Sequence, residues 1–130
     1  MSSSKTSTPM TPAQVAMTMN TLYRTLQIMA DAIDRDATLL QVLAFTRVAA
    51  AGEAGMDMGA LQKELKVSSA TITRVVQALG ELHYSKAKKG YNVIDRTQNE
   101  ANLRLRVLKT STKGVKAAEK LAEALRGKSG

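Results

Sequence analysis

The apolar positions of this chain change their period several times, and each change marks an element. Val15, Met19, Leu22, Leu26, Met29 and Ile33 recur at alternating spacings of 4 and 3, the seam of a helix that packs along one line against another helix. Its start signals are complete: Thr11 as N-cap, Pro12 at the first helical position, and Gln14 three residues after the cap to close a capping box. The seam can lie across a dimer or within the chain, and a contribution to a homodimer is the expectation. A second helix is predicted from Ala37 to about Ala51, capped by Asp36. Leu39, Val42, Leu43 and Thr46 share one of its faces, and Leu40, Phe45 and Val48 widen the apolar surface, so this helix is expected to be central and buried. Gly52 and Gly55 end it. Asp57 is placed to cap the next helix at the positive end of its dipole.

The stretch from Leu61 to Leu82 reads as a helix-turn-helix. Leu61 and Leu65 share one face of a short helix, Lys66 to Ser68 make a tight connection, and Ser68 can cap a second helix by accepting the amide of Thr71. In that second helix Ile72, Val75, Val76 and Leu79 form a buried stripe at spacings of 3, 4 and 7. The opposite face carries Ser69, Thr73, Arg74 and Gln77. That is the arrangement of a recognition helix entering a major groove about 12 Å wide, and equally of a helical hairpin with a polar solvent face.

Beyond Leu82 the segment HYSKAKKG is basic and turn-prone, and two stretches then alternate like strands, from Tyr91 and from Leu103. In the second, Leu103, Leu105 and Val107 are expected to point inward and Arg104, Arg106 and Leu108 outward. The pair forms a β-hairpin wing behind the recognition helix. A last helix runs from about Thr112 to Arg126 with Val115, Ala118, Leu121, Ala122 and Leu125 as its apolar stripe. The fold class is therefore mostly α with a small β-hairpin: a winged helix-turn-helix with flanking N- and C-terminal helices for dimerisation. Residues 1–10 read as a disordered tail, 11–35 as the heptad helix, 36–126 as the winged domain and 127–130 as a frayed end.

Composition narrows the chemistry. Aromatic residues are only 3% of the chain, so the core must be built of aliphatic side chains. Zero cysteines exclude disulfides, thiolate zinc sites and thiol redox sensing, and the single histidine, His83, excludes a multi-histidine metal site. No apolar run approaches the roughly 18 residues of a membrane span, and a cytoplasmic protein is expected. The net charge of +8 has a location: between Lys63 and Lys116, twelve basic residues face four acidic ones. The whole excess thus lies on and just after the helix-turn-helix, which favours a polyanionic partner. An enzyme is not expected. There is no glycine-rich phosphate loop, and Glu53, Asp57 and Glu64 stand at spacings that caps and surface pairs explain.

The motifs resemble those of the MarR-type winged helix-turn-helix transcriptional regulators. Members open the recognition helix with threonine-x-threonine-arginine, matched here by Thr71 to Arg74, and carry an aspartate-x-arginine wing tip followed by a leucine-threonine-x-x-glycine signature. Counting back from Gly114, the resemblance puts Arg104 on the wing arginine and Ser111 on the signature threonine. Asn102 stands where the bracing aspartate is usual, which leaves an amide hydrogen bond in place of a salt bridge, and Thr110 where leucine is usual. The resemblance spans roughly residues 36–125 and lacks the family's further C-terminal helix, so the N-terminal helix is expected to carry more of the dimer interface. It also implies an effector pocket between dimer helices and winged domain, with no effector identifiable here.

Double-stranded DNA is thus the expected partner, without a cofactor. Thr73, Arg74 and Gln77, with Ser69 and Ala70 near the helix start, are the candidates for base edges. Arg74 could equally hold phosphate. Ser68 and Thr71 are expected to cap and to touch phosphate. Arg104, with Arg106 beside it, is the candidate for a narrow, A·T-rich minor groove, and Lys86, Lys88 and Lys89 are phosphate neutralisers or a solubilising loop. A different class stays open: a winged-helix module that docks a protein or binds nucleic acid without sequence preference.

Overall fold

The computed structural model describes residues 9–80, 90–98 and 106–126 of the 130. Five α-helices are formed among them: α1 (Pro12–Ala32), α2 (Leu39–Ala50), α3 (Met58–Leu65), α4 (Ser69–Leu79) and α5 (Thr112–Leu125). Strands β1 (Met56–Asp57), β2 (Ile94–Gln98) and β3 (Arg106–Thr110) form an antiparallel sheet in the order β1-β3-β2. Phe45, Val48, Leu61, Ile72, Leu79, Val93, Ile94 and Leu108 are fully buried between the helices and the sheet. Phe45 is the single aromatic among them, as the composition requires. Of the expected tails at 1–10 and 127–130, residues 1–8 and 127–130 lie outside the described residues, and Pro9 and Met10 are exposed and in no helix or strand.

α1 starts as its sequence prescribes. The Thr11 hydroxyl accepts the Gln14 amide at 3.1 Å, and the Gln14 side chain accepts the Thr11 amide at 2.9 Å. α2 repeats the device with Thr38 and Gln41 at 3.1 and 2.9 Å, which corrects the expected cap at Asp36. The reason is local. The Asp34 carboxylate accepts the Asp36 amide at 2.7 Å and the Asp34 carbonyl accepts the Ala37 amide, so residues 34–37 close a turn before the helix can begin. Thr38 and Gln41 carry the same cap-and-return pattern as Thr11 and Gln14, so the sequence contained the signal.

Three apolar faces are turned relative to expectation. α2 buries Gln41, Ala44, Phe45 and Val48, whereas Leu39 is 72% and Leu43 47% exposed. Ala44, which is 0% exposed, lies on the buried face that the apolar pattern did not mark. On β3 the residue fully buried is Leu108, while Val107 is half-buried, the opposite of the predicted alternation. A third strand was also not expected: β1 pairs Met56 with Leu108 and Asp57 with Val107, placing β3 in the middle of the sheet. A two-residue strand is too short to leave a periodic trace. Leu103 and Leu105 lie outside the described residues. On α5 the inward residues are Gly114, Ala117 and Leu121, whereas Val115, Ala122 and Leu125 are exposed.

The heptad seam of α1 divides. Met29 and Ile33 are in the core, together with Thr25, at a point where α1 packs on α5. Val15, Met19, Leu22 and Leu26 remain between 45 and 51% exposed.

Candidate nucleic-acid interface

The helix-turn-helix is built from α3 and α4. α3 is capped by Asp57, whose carboxylate accepts the Ala60 amide at 3.0 Å, and ends at Lys66, which takes the left-handed conformation at φ 59°. That one residue reverses the chain, so that Ser68 can open α4. Arg47 on α2 makes a two-pronged ion pair with Glu64 on α3, at 2.7 and 3.2 Å. The hydrogen bond and the negative charge of Glu64 raise the Arg47 pKa above its ordinary value.

Ser68 caps α4 as expected. Its hydroxyl accepts the Thr71 amide at 3.1 Å and donates to the Thr71 hydroxyl at 3.0 Å. Ile72, Val75, Val76, Ala78 and Leu79 are buried beneath the helix. With about 100° between successive residues, Ala70 and Gln77 fall at the centre of the outer face, Thr73 on one flank and Arg74 on the other. Ser69, Ala70 and Arg74 are exposed; Thr73 and Gln77 are half-buried. Arg74 and Gln77 make no side-chain hydrogen bond or ion pair with the described residues, so both are free for an outside acceptor or donor. Thr71 has both its amide and its hydroxyl engaged by Ser68, which fits capping better than base contact.

The far end of α4 is latched to the wing. α4 stops at Leu79, short of the expected Leu82, with Gly80 as its C-cap. The amides of Tyr91, Asn92 and Val93 donate to the carbonyls of Ala78, Gly80 and Leu79 at 2.8–2.9 Å. Ser111 then closes the junction: its hydroxyl donates to the Asn92 carbonyl at 2.7 Å and accepts the Gly114 amide at 3.0 Å, and its own amide donates to the Val93 carbonyl at 3.0 Å. A Cβ on Gly114 would stand 2.1 Å from that Val93 oxygen. The serine and the glycine of the signature therefore do one physical job, bringing the start of α5 onto the backbone that leads from α4 into β2. This close approach also fixes which face of α5 turns inward. Asn92, at φ 58°, belongs to the junction and is not marked by any periodicity.

Of the wing candidates, Arg106 is exposed at the start of β3, opposite Gln98. Arg96 on β2 is exposed as well and adds a cation that entered the sequence reading only through net charge. Arg104, Asn102, His83, Lys86, Lys88 and Lys89 lie outside the described residues. An open groove of about 590 Å³ runs between the end of α2, β3 and α5, with Ala49, Val115, Ala118 and Ala122 as its apolar lining and Glu53, Lys109 and Glu119 around it. Among the described residues no group of three or more His, Cys, Asp or Glu side chains could hold a metal ion, and no helix is long and apolar enough to cross a membrane.

No protein-family model and no curated protein matches the chain. Solved structures do. The S. aureus MepR–DNA complex is 16% identical, with 88% of this chain and 84% of that chain covered and a TM-score of 0.64. The PcaV transcriptional regulator from Streptomyces coelicolor is 16% identical over 91% of this chain and 77% of that chain, with a TM-score of 0.55. Reduced AbfR bound to DNA is 16% identical over 89% and 78%, also at 0.55. At such identity the likeness concerns the fold alone, a winged helix-turn-helix that this chain shares with MepR, PcaV and AbfR.

Proposed function

We propose that this protein is a sequence-specific double-stranded DNA-binding transcriptional regulator that acts in the cytoplasm as a repressor, covering its site and so excluding other proteins from it. It binds as a homodimer to a pseudo-palindromic site. Each α4 enters a major groove, each wing lies along the flanking minor groove, and the half-sites are about 10 base pairs apart. The observation that carries this reading is α4 itself. One face is wholly buried, both ends are tied down, and the other face offers Ser69, Ala70, Thr73, Arg74 and Gln77 to the outside, with no side-chain partner for Arg74 or Gln77 among the described residues. Rigid placement of base-reading groups is what specificity needs. Two of the similar folds, MepR and AbfR, were solved on DNA, which supports the same partner here.

The exposed cations divide the labour. Lys63 and Lys66 flank the turn before α4, and Arg106 lies on the wing. These supply phosphate contacts, while Arg74 takes guanine O6 and N7 together, worth about 1–3 kcal/mol of discrimination. The exposed apolar part of α1, from Val15 to Leu26, is the proposed homodimer seam.

Selection of bound duplexes from a random pool at about 150 mM salt, where non-specific phosphate binding is already weak, tests this directly. The expected result is an enriched inverted repeat that degrades at one position per half-site in Arg74→Ala. No enriched site, with binding that fades evenly over all sequences as salt rises, would instead identify a non-specific or protein-docking module.

A further inference from the structure

The hydroxyls on the outer face of α4 are not equivalent. The Thr73 hydroxyl donates its one proton to the Ser69 carbonyl, four residues back, at 2.8 Å. A threonine in a helix can hold that bond because Oγ1 reaches the preceding turn. What Thr73 then offers outward is a methyl group and an oxygen that can only accept. Ala70, three residues earlier, is its neighbour on the same face, is exposed, and also offers only a methyl. The two form a small apolar patch at the beginning of a helix whose other outward groups, Ser69, Arg74 and Gln77, are polar.

In the major groove a single base carries an apolar mark, the 5-methyl of thymine. We propose that Thr73 reads thymine through its methyl, on the patch it shares with Ala70, and that it does not act there as a hydrogen-bond donor. The inference rests on the DNA-binding reading above and deepens it: the half-site contains thymine beside the base pair contacted by Arg74. Losing one buried methyl contact corresponds to about a fourfold loss of affinity, from roughly 0.8 kcal/mol per buried carbon group.

The test replaces thymine by deoxyuridine, which lacks only that methyl, one position at a time in the selected duplex. Binding is measured for the wild type, Thr73→Val and Thr73→Ser, with thermal melting of each variant alongside. The expected result is one thymine per half-site at which wild type loses about fourfold. Thr73→Val, which keeps a methyl and has no hydroxyl, retains that loss. Thr73→Ser, which keeps the hydroxyl without the methyl, binds both duplexes alike at that position. Equal wild-type affinity for every uracil-substituted duplex overturns the inference, as does an unchanged uracil profile in Thr73→Ser, and in either case the DNA-binding reading stands. Failure to enrich any duplex overturns both.

Discussion

Around Gly114 three elements meet so closely that one added methyl group would stand 2.1 Å from a carbonyl oxygen. Along the first half of α1, Val15, Met19, Leu22 and Leu26 stand 45–51% exposed. The two regions hold comparable apolar side chains and treat them in opposite ways. The junction of α4, β2 and α5 is completed by the chain's own atoms, so its residues report on folding. The seam of α1 is completed only in part, at Met29 and Ile33, so its remaining residues report on whatever covers them. α4 hangs from the first region, while the proposed pairing of two α4 helices on DNA depends on the second. Substitutions should therefore divide cleanly between stability and assembly.

The largest effect is expected from the same change made in each region. Leu79 is wholly buried at the end of α4, and Leu79→Ala should cost about 2–5 kcal/mol of unfolding free energy, from lost transfer and the cavity left behind. Leu22→Ala, at a side chain 46% exposed, should change the unfolding of a dilute, dissociated protein by much less and instead weaken association. Denaturant unfolding at two protein concentrations reads both. If Leu22→Ala destabilises the dilute protein as much as Leu79→Ala does, the division fails.

Next comes Gly114→Ala. An alanine there must push the start of α5 off Val93, an overpacking cost of about 3 kcal/mol, and the loss should appear in thermal melting together with weaker DNA binding, because the latch that orients α4 is the part displaced. The paired substitution Met19→Glu with Leu22→Glu is the assembly counterpart. Its expected outcome is a monomer by sedimentation, with helix content unchanged, and a preference for single half-sites over the inverted repeat.

How much of this was legible beforehand follows the same division. Caps are short-range, and Thr11, Asp57 and Ser68 were each readable from neighbours within three residues. The buried stripe of α4 was readable because one side of that helix faces the core and the other faces none of the described elements. α2, β3 and α5 misled because each touches several elements, so Leu39, Val107 and Val115 had no local reason to be the ones left out. The place of β3 in the middle of the sheet depends on a strand of two residues, and the seating of α5 on a single glycine meeting a carbonyl 21 positions away in sequence. The signature glycine was found by resemblance, but its cause is a contact that no periodicity encodes. At the interface the candidates on α4 emerged from spacing alone. The commitment of the Thr73 proton to Ser69 required coordinates.

The smallest effect separates two roles assigned to one residue. Ser68 caps α4 through the Thr71 amide, and it is also proposed to lie near phosphate. Ser68→Ala removes the cap and should cost about 1 kcal/mol, while Ser68→Gly should cost only a few tenths. Both leave the local charge unchanged, so their effect on DNA affinity should follow their effect on the helix. Ser68→Asp breaks that correlation. A carboxylate caps as well as a hydroxyl and gains from the positive end of the helix dipole, so the protein should melt no lower than the wild type. The same charge would repel a phosphate placed at the start of α4, so DNA binding should weaken despite the intact helix. A Ser68→Asp protein that is stable and binds its site normally would move the phosphate contact elsewhere along the helix-turn-helix, toward Lys63 and Lys66.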